Sequence, residues 1–103
     1  MNVAPLWHVY LLRMRDGGLY TGIATDVARR VAEHTAGRGR GAKALRGRGP
    51  LELAFQRPIG SRALATRVER RVKQLDKAGK ERIVAANPHA TRLLEQLGLA
   101  EVD

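Results

Sequence analysis

Two short strand-like segments on either side of an Asp-Gly pair constrain the fold of this chain more than any other feature. Residues 7–12 (Trp-His-Val-Tyr-Leu-Leu) and 19–23 (Leu-Tyr-Thr-Gly-Ile) have the aromatic and branched composition of β-strands. The Asp-Gly pair at 16–17 is a strong signal for a hairpin turn. A three-residue or bulged loop would put Tyr10 and Tyr20 on one face of the hairpin, whereas a two-residue turn would put them on opposite faces.

Capping residues and apolar spacing predict a third strand and several helices after this hairpin. The predicted elements are a helix capped by Thr25 or Asp26, a strand over 50–56, a helix from Ser61 to before Asp76, and two short helices around 81–86 and 90–97. Three strands of this length need helices to cover them. We therefore expect the α/β (α+β) class, with a small three-stranded, mostly antiparallel sheet flanked by helices.

The segment from Gly37 to Gly49 alternates glycine with arginine or lysine. Such dense glycine opposes a helix, so we expect a flexible basic loop. Cations spaced in this way can follow a phosphate backbone. The residues that we expect to bind nucleic acid are Arg29, Arg38, Arg40, Lys43, Arg46, Arg48 and Lys73.

Charge indicates the kind of partner, and other features exclude several classes. The 103 residues include 19 Lys or Arg and 10 Asp or Glu, a net charge of +9 that favours a polyanion. Without cysteine there is no disulfide framework or thiolate zinc site. A chain of 103 residues has the length of one domain. Because membrane-spanning and signal-peptide patterns are also missing, we expect this domain in the cytoplasm. Aromatic residues make up 4%, so we expect binding through phosphates and shape, to DNA or to RNA.

An ordered set of motifs resembles the GIY-YIG nuclease superfamily, and most of all its small standalone bacterial members. The matching segments are His8-Val9-Tyr10, where the usual first glycine is replaced, Asp16-Gly17, Leu19-Tyr20-Thr21-Gly22, Thr25-Asp26, Arg29-Arg30 with His34, and Gly41-Ala42-Lys43. The resemblance covers about residues 7–85, and residues 88–98 form a helical extension.

This resemblance implies catalytic roles for five residues. Arg30 corresponds to the arginine that binds the scissile phosphate, and Glu69 to the one side chain that ligates a single Mg²⁺ or Mn²⁺. Tyr10 and Tyr20 correspond to the tyrosines that position or deprotonate the attacking water. His34 either orients the water, holds a phosphate or is an ordinary core histidine.

Two conditions follow from the chemistry of these roles. A tyrosine pKa is normally near 10, so a tyrosine base needs Arg30 or the metal to lower it. The metal role requires that Glu69 faces the tyrosines and Arg30 rather than solvent and a partner such as Arg62 or Lys73.

We therefore expect a metal-dependent DNA endonuclease that selects DNA structure rather than sequence, in repair or recombination. Substrate choice would come from branched or damaged DNA, from an oligomer or from an unidentified partner protein. The alternatives are a non-catalytic module that binds DNA or structured RNA, and a regulatory subunit.

Overall fold

The computed structural model describes residues 4–39 and 41–100. Within these ranges the chain forms a three-stranded sheet with five helices, which confirms the predicted class. The strands are β1 (Trp7–Arg13), β2 (Leu19–Ala24) and β3 (Glu52–Gly60), and the helices are α1 (Val27–Thr35), α2 (Ala42–Leu45), α3 (Arg62–Lys73), α4 (Lys77–Ala86) and α5 (Ala90–Gln96). None of these helices is long and apolar enough to cross a membrane.

The β1–β2 hairpin has the three-residue loop that puts both tyrosines on one face. The Met14 N–H donates a hydrogen bond to the Gly18 carbonyl oxygen at 2.8 Å, which leaves residues 15–17 as the loop. In the resulting register Leu12 lies opposite Tyr20. Tyr10 lies two residues before Leu12 and therefore on the same face, because side chains alternate along a strand.

The central strand β1 separates two buried cores. The order of strands is β2-β1-β3, and both neighbours run antiparallel to β1. Val9 and Leu11 of β1 belong to one core, and Tyr10 and Leu12 belong to the other. The first core joins the sheet to α3, α4 and α5 through Val68, Val72, Ile83 and Leu93, and the second joins it to α1 and α2 through Val27 and Leu45.

The bounds of two predicted elements were wrong. β3 begins at Glu52 and continues to Gly60, instead of covering 50–56. β3 tolerates Pro58 because it is an edge strand, in which only one side of the strand needs backbone N–H groups for pairing. α4 begins four residues before the predicted 81, because the Asp76 carboxylate accepts a hydrogen bond from the Gly79 N–H at 2.8 Å and caps it.

The expectation that the glycine-rich segment contains no helix was also wrong. The four residues of α2 contain no glycine, and Leu45 at their end is buried in the second core. Left-handed backbone at Gly41 (φ +83°) and Gly47 (φ +73°) allows the chain to turn on either side of this helix. Burial of one leucine therefore organises a segment whose composition opposes helices.

A bidentate ion pair joins the end of β1 to α4. Arg13 donates from Nη1 and Nη2 to the two carboxylate oxygens of Glu81, at 2.7 and 2.8 Å. Lys77 donates to the same carboxylate at 2.8 Å. These hydrogen bonds lower the pKa of Glu81 to about 2, and the bond from Arg13 has a larger effect than the bond from Lys77.

We predict that Glu81→Gln lowers the stability of the protein at neutral pH and weakens its dependence on pH. A carboxyl whose pKa is lowered by folding stabilises the fold above its ordinary pKa of 4.5 and loses that contribution as the pH falls towards 2. Urea unfolding at several pH values should show that the free energies of unfolding of the two proteins converge as the pH falls from 4.5 towards 2. The matched control is Glu95→Gln on the exposed side of α5, and an equal loss in this control would contradict the prediction.

Candidate active site

Tyr10 occupies the middle of β1 and packs over a glycine of the neighbouring strand. It lies opposite Gly22, and 1% of its surface is exposed. A Cβ atom on Gly22 would lie 2.5 Å from Tyr10 Cζ, which is closer than real Cβ contacts allow. Gly22 is therefore needed for space, and this explains why glycine follows Tyr20-Thr21 in the second motif.

His34 of α1 lies between the two tyrosines. Its Nε2 atom is 2.9 Å from Tyr10 Oη. The Tyr20 ring approaches the same imidazole edge-on, with 5.4 Å between the ring centroids. His34 is buried, so α1 is joined to both strands of the hairpin through one side chain.

The environment keeps Tyr10 and His34 uncharged at neutral pH. Burial raises the pKa of Tyr10 to about 12, Tyr20 adds to the rise, and Arg30 offsets part of it. Burial also lowers the pKa of His34 below its ordinary 6.5, and the positive charge of Arg30 lowers it further. We therefore assign the proton to the Tyr10 hydroxyl, which donates to the neutral His34 Nε2 atom.

The sequence-based condition of a lowered tyrosine pKa is not met at Tyr10. Arg30 acts in the expected direction, but the loss of solvent around a buried phenol has the larger effect. A base role for Tyr10 consequently requires that its own proton passes to His34 as it accepts another.

A cavity of about 430 Å³ brings four of the five predicted catalytic residues together at the outer edge of β2. It is lined by Tyr10, Tyr20, Arg30 and Glu69, together with parts of the glycine-rich loop. Tyr10 and Tyr20 face α1, whereas α3 packs on the opposite side of the sheet. Glu69 reaches the same cavity because β2 is an edge strand of the sheet that the described residues form.

Glu69 faces the cavity and has a lysine beside it. Its side chain is 22% exposed, and its Oε2 atom lies 3.5 Å from Lys73 Nζ one turn later on α3. Both arrangements considered for Glu69 therefore occur in part: it pairs with Lys73, yet it faces the tyrosines and Arg30 rather than solvent.

The glycine-rich loop closes the site through close backbone contacts. A Cβ atom on Gly41 would lie 2.8 Å from Tyr20 Cζ, and one on Gly39 would lie 2.9 Å from Arg30 Nη1. Side chains at these two positions would displace Tyr20 or Arg30. The glycines therefore let the main chain pack directly against the site.

The predicted nucleic-acid-binding residues are only partly gathered around this cavity. Lys73 lines this cavity. Arg29 lines a second, adjoining cavity together with Glu33. Arg48 is held by Asp16 at 2.6 Å, so its charge is directed to the hairpin turn. Arg38, Lys43 and Arg46 are exposed in the loop region, and Arg40 lies outside the described residues.

Two cavity residues escaped the sequence analysis as site candidates. Arg62 and Thr66 of α3 line the cavity together with Glu69 and Lys73. Positions 62, 66, 69 and 73 follow the 3.6-residue period of a helix. This spacing, extended backwards from Glu69, was the signal that could have found them.

Comparison with known proteins identifies the family. The sequence model of the family described as the GIY-YIG catalytic domain matches residues 6–82. The chain belongs to the GIY-YIG family. It is 58% identical to the UPF0213 protein of Serratia proteamaculans over 87 residues, which are 84% of this chain and 83% of that protein. It is 53% identical to UPF0213 protein YhbQ of Escherichia coli O157:H7, with 93% and 94% of the two chains covered.

A solved structure of another relative has a similar fold. The solution NMR structure of UPF0213 protein BH0048 from Bacillus halodurans superposes with a TM-score of 0.50 at 42% identity. The match covers 78% of this chain and 83% of that one. The GIY-YIG domain is a nuclease domain, so nucleic acid is the general class of substrate.

GIY-YIG nucleases generally use a divalent metal ion, and the cavity has a donor set that fits one. The described residues contain no cluster of three or more His, Asp or Glu side chains. Mg²⁺ keeps several water ligands and commonly takes one or two carboxylates together with substrate phosphates. A lone carboxylate such as Glu69 at the wall of an open cavity suits that pattern.

We predict that Gly41→Ala destabilises this GIY-YIG domain more than Gly47→Ala does. Both glycines have left-handed backbone, but a Cβ on Gly41 overlaps Tyr20, whereas one on Gly47 meets no atom of the described residues within 4 Å. The matched pair therefore separates backbone strain from steric overlap. Overpacking adds about 1–3 kcal/mol, which urea unfolding can measure. Equal losses would contradict close packing of the loop against Tyr20.

We also predict that Arg30→Met raises the pKa of His34. The guanidinium opposes protonation of the imidazole, but burial has the larger effect, so the pKa should stay below 6.5. An NMR titration of the His34 ring protons measures both values. Arg92→Met on α5 is the control for loss of a positive charge. A His34 pKa that is unchanged in Arg30→Met would contradict the electrostatic contact.

Proposed function

We propose that this chain is a metal-dependent endonuclease that hydrolyses phosphodiester bonds in DNA and selects its substrate by structure. The observation that supports it most is that one cavity is lined by Arg30, Glu69, Tyr10 and Tyr20, with the buried His34 hydrogen-bonded to Tyr10. Cleavage selected by DNA structure is the type of step that repair and recombination require, and we propose this context as well.

Arg30 is suited to hold the phosphate under attack. Its side chain is 21% exposed, and its Nη1 atom lies 3.7 Å from the Glu33 carboxylate, which orients the guanidinium without a close hydrogen bond. The donors of a guanidinium match the oxygens of a phosphate and stabilise the negative charge that builds up on them. In our proposal the scissile phosphate therefore binds on Arg30.

Tyr10 and His34 are suited to remove the proton of the attacking water. As the water oxygen bonds to phosphorus, Tyr10 Oη accepts the water proton and gives its own proton to His34 Nε2 across the 2.9 Å contact. This coupled transfer avoids the tyrosinate, which the pKa of about 12 makes unfavourable. The leaving oxygen separates from phosphorus and takes a proton from solvent.

Glu69 is the residue that would hold Mg²⁺ or Mn²⁺. When bound, such an ion supplies positive charge beside the leaving oxygen. Lys73, whose Nζ atom lies 3.5 Å from Glu69 Oε2, competes with the ion for this carboxylate. A carboxylate beside a phosphate site has little use in a protein that only binds nucleic acid, because it repels the ligand unless a cation lies between them.

The first experiment is a nicking assay on supercoiled plasmid with Mg²⁺ or Mn²⁺. We predict that Glu69→Gln, Arg30→Ala and EDTA each reduce the rate at least about 100-fold. Arg30→Ala removes a positive charge that stabilises the transition state, and Glu69→Gln and EDTA remove the metal ion that supplies another. Glu95→Gln and Arg92→Ala on α5 are the matched controls and should cleave like the unchanged protein.

The outcomes separate the hypotheses. Nicking by the Glu69→Gln variant would mean that the activity comes from another site or from a contaminant. Absence of cleavage on plasmid and on branched DNA, with tight salt-sensitive binding retained in Glu69→Gln, would instead support a non-catalytic nucleic-acid-binding module.

We further predict that Arg38→Ala combined with Lys43→Ala weakens DNA binding and its dependence on salt. Both residues are exposed in the loop region beside the cavity. Each phosphate contact that is lost should reduce the slope of log K against log salt by about 1. Fluorescence polarisation at several salt concentrations measures this slope, and an unchanged slope would exclude both side chains from the interface.

A further inference from the structure

A second cavity of about 250 Å³ adjoins the candidate active site. It shares Ile23, Arg30 and Arg62 with that site, so these residues lie between the two cavities or border both of them. It lies where β2 leads into α1 and where β3 leads into α3. Its volume is below the roughly 300–1,000 Å³ of pockets that enclose a drug-sized ligand, so it suits a smaller group.

The wall of this cavity includes the only tryptophan of the chain. Trp7 is partly buried at the start of β1, and the Arg62 guanidinium lies over its ring, with Cζ 5.1 Å from the ring centroid. Aromatic rings and planar guanidinium groups are the surfaces on which unpaired bases stack. One flat aromatic surface with a movable cationic cover therefore stands next to the residue proposed to hold the scissile phosphate.

The two carboxylates of the cavity suit a base better than a second phosphate. Arg29 and Arg30 both lie within 4 Å of the Glu33 carboxylate, at 3.8 and 3.7 Å. Asp26 adds a second carboxylate to the lining. These carboxylates oppose a phosphate, whereas their oxygens can accept hydrogen bonds from the amino groups of a base.

We propose that this cavity binds one unpaired nucleobase of the DNA strand, next to the phosphate held on Arg30, and that Trp7 and Arg62 form its stacking surface. The inference rests on the proposed nuclease function and names its substrate class. A base inside an intact duplex must first be unstacked and unpaired, whereas a base in a flap, gap or single strand is already free. The preferred substrate is then DNA with an unpaired nucleotide beside the cleaved bond.

The intrinsic fluorescence of Trp7 reports on this cavity directly, since the chain has no other tryptophan. The test titrates the protein in EDTA with a single-stranded DNA hexamer of mixed sequence. The matched probe is a hexamer of the same length and charge made only of abasic tetrahydrofuran nucleotides. We expect the first to quench the fluorescence and to bind roughly five- to tenfold more tightly than the second.

Two variants of α3 make the test specific. Arg62→Ala should remove the difference in affinity between the two hexamers, whereas Arg67→Ala, the loss of an exposed arginine on the same helix, should retain it. Binding of the abasic hexamer measures any phosphate contact of Arg62 separately. Trp7→Phe, followed by polarisation of labelled hexamers, should keep the preference because it keeps an aromatic ring.

Equal affinity for the two hexamers in the unchanged protein would overturn the proposal, and so would a preference that survives Arg62→Ala. The nicking assay distinguishes this failure from failure of the nuclease function. A protein that nicks plasmid but ignores bases would lack only the base site. A protein that prefers the normal hexamer through Arg62 but never cleaves would retain the base site without nuclease function.

Discussion

The hydrogen bond between Tyr10 Oη and His34 Nε2 links the parts of the molecule on which the site depends. It joins the central strand of the sheet to α1, and α1 carries Arg30 one turn before His34. The bond is possible because Gly22 leaves room for the phenol. Burial makes both groups uncharged at neutral pH, so the contact is a neutral hydrogen bond that can also pass a proton.

The position of the cavity at a sheet edge explains how so small a protein gathers unlike groups. Tyrosines from one face, a carboxylate from a helix on the other face and the backbone of a glycine-rich loop meet beyond β2. Cations dominate the surface, yet Arg30 is restrained by Glu33, and Glu69 lies beside Lys73. Arg30 and Glu69 therefore each have a solvent-accessible counter-charge that a phosphate or a metal ion can replace.

Local signals predicted the elements whose causes are local. The Asp-Gly turn and the capping residues Asp26 and Ser61 act within a few positions of themselves, and these elements formed as expected. The errors occurred where distant contacts decide. The helix α2 forms where Leu45 is buried under the sheet, and β3 runs on to Gly60 through pairing with β1. Composition and spacing carry no information about either contact.

By itself the sequence determined the class of fold, the excess of positive charge and the order of the motif residues, because turns, caps and side-chain periodicity act over short distances. Its resemblance to the GIY-YIG nucleases also implied that Tyr10, Tyr20, Arg30 and Glu69 form one group. Only the tertiary structure decided which way Glu69 faces, how far burial shifts the pKa of Tyr10, and that Trp7 lies under the Arg62 guanidinium in the cavity next to the site. These properties depend on solvent exclusion and on contacts between residues more than fifty positions apart, which arise only when the sheet and its helices pack together.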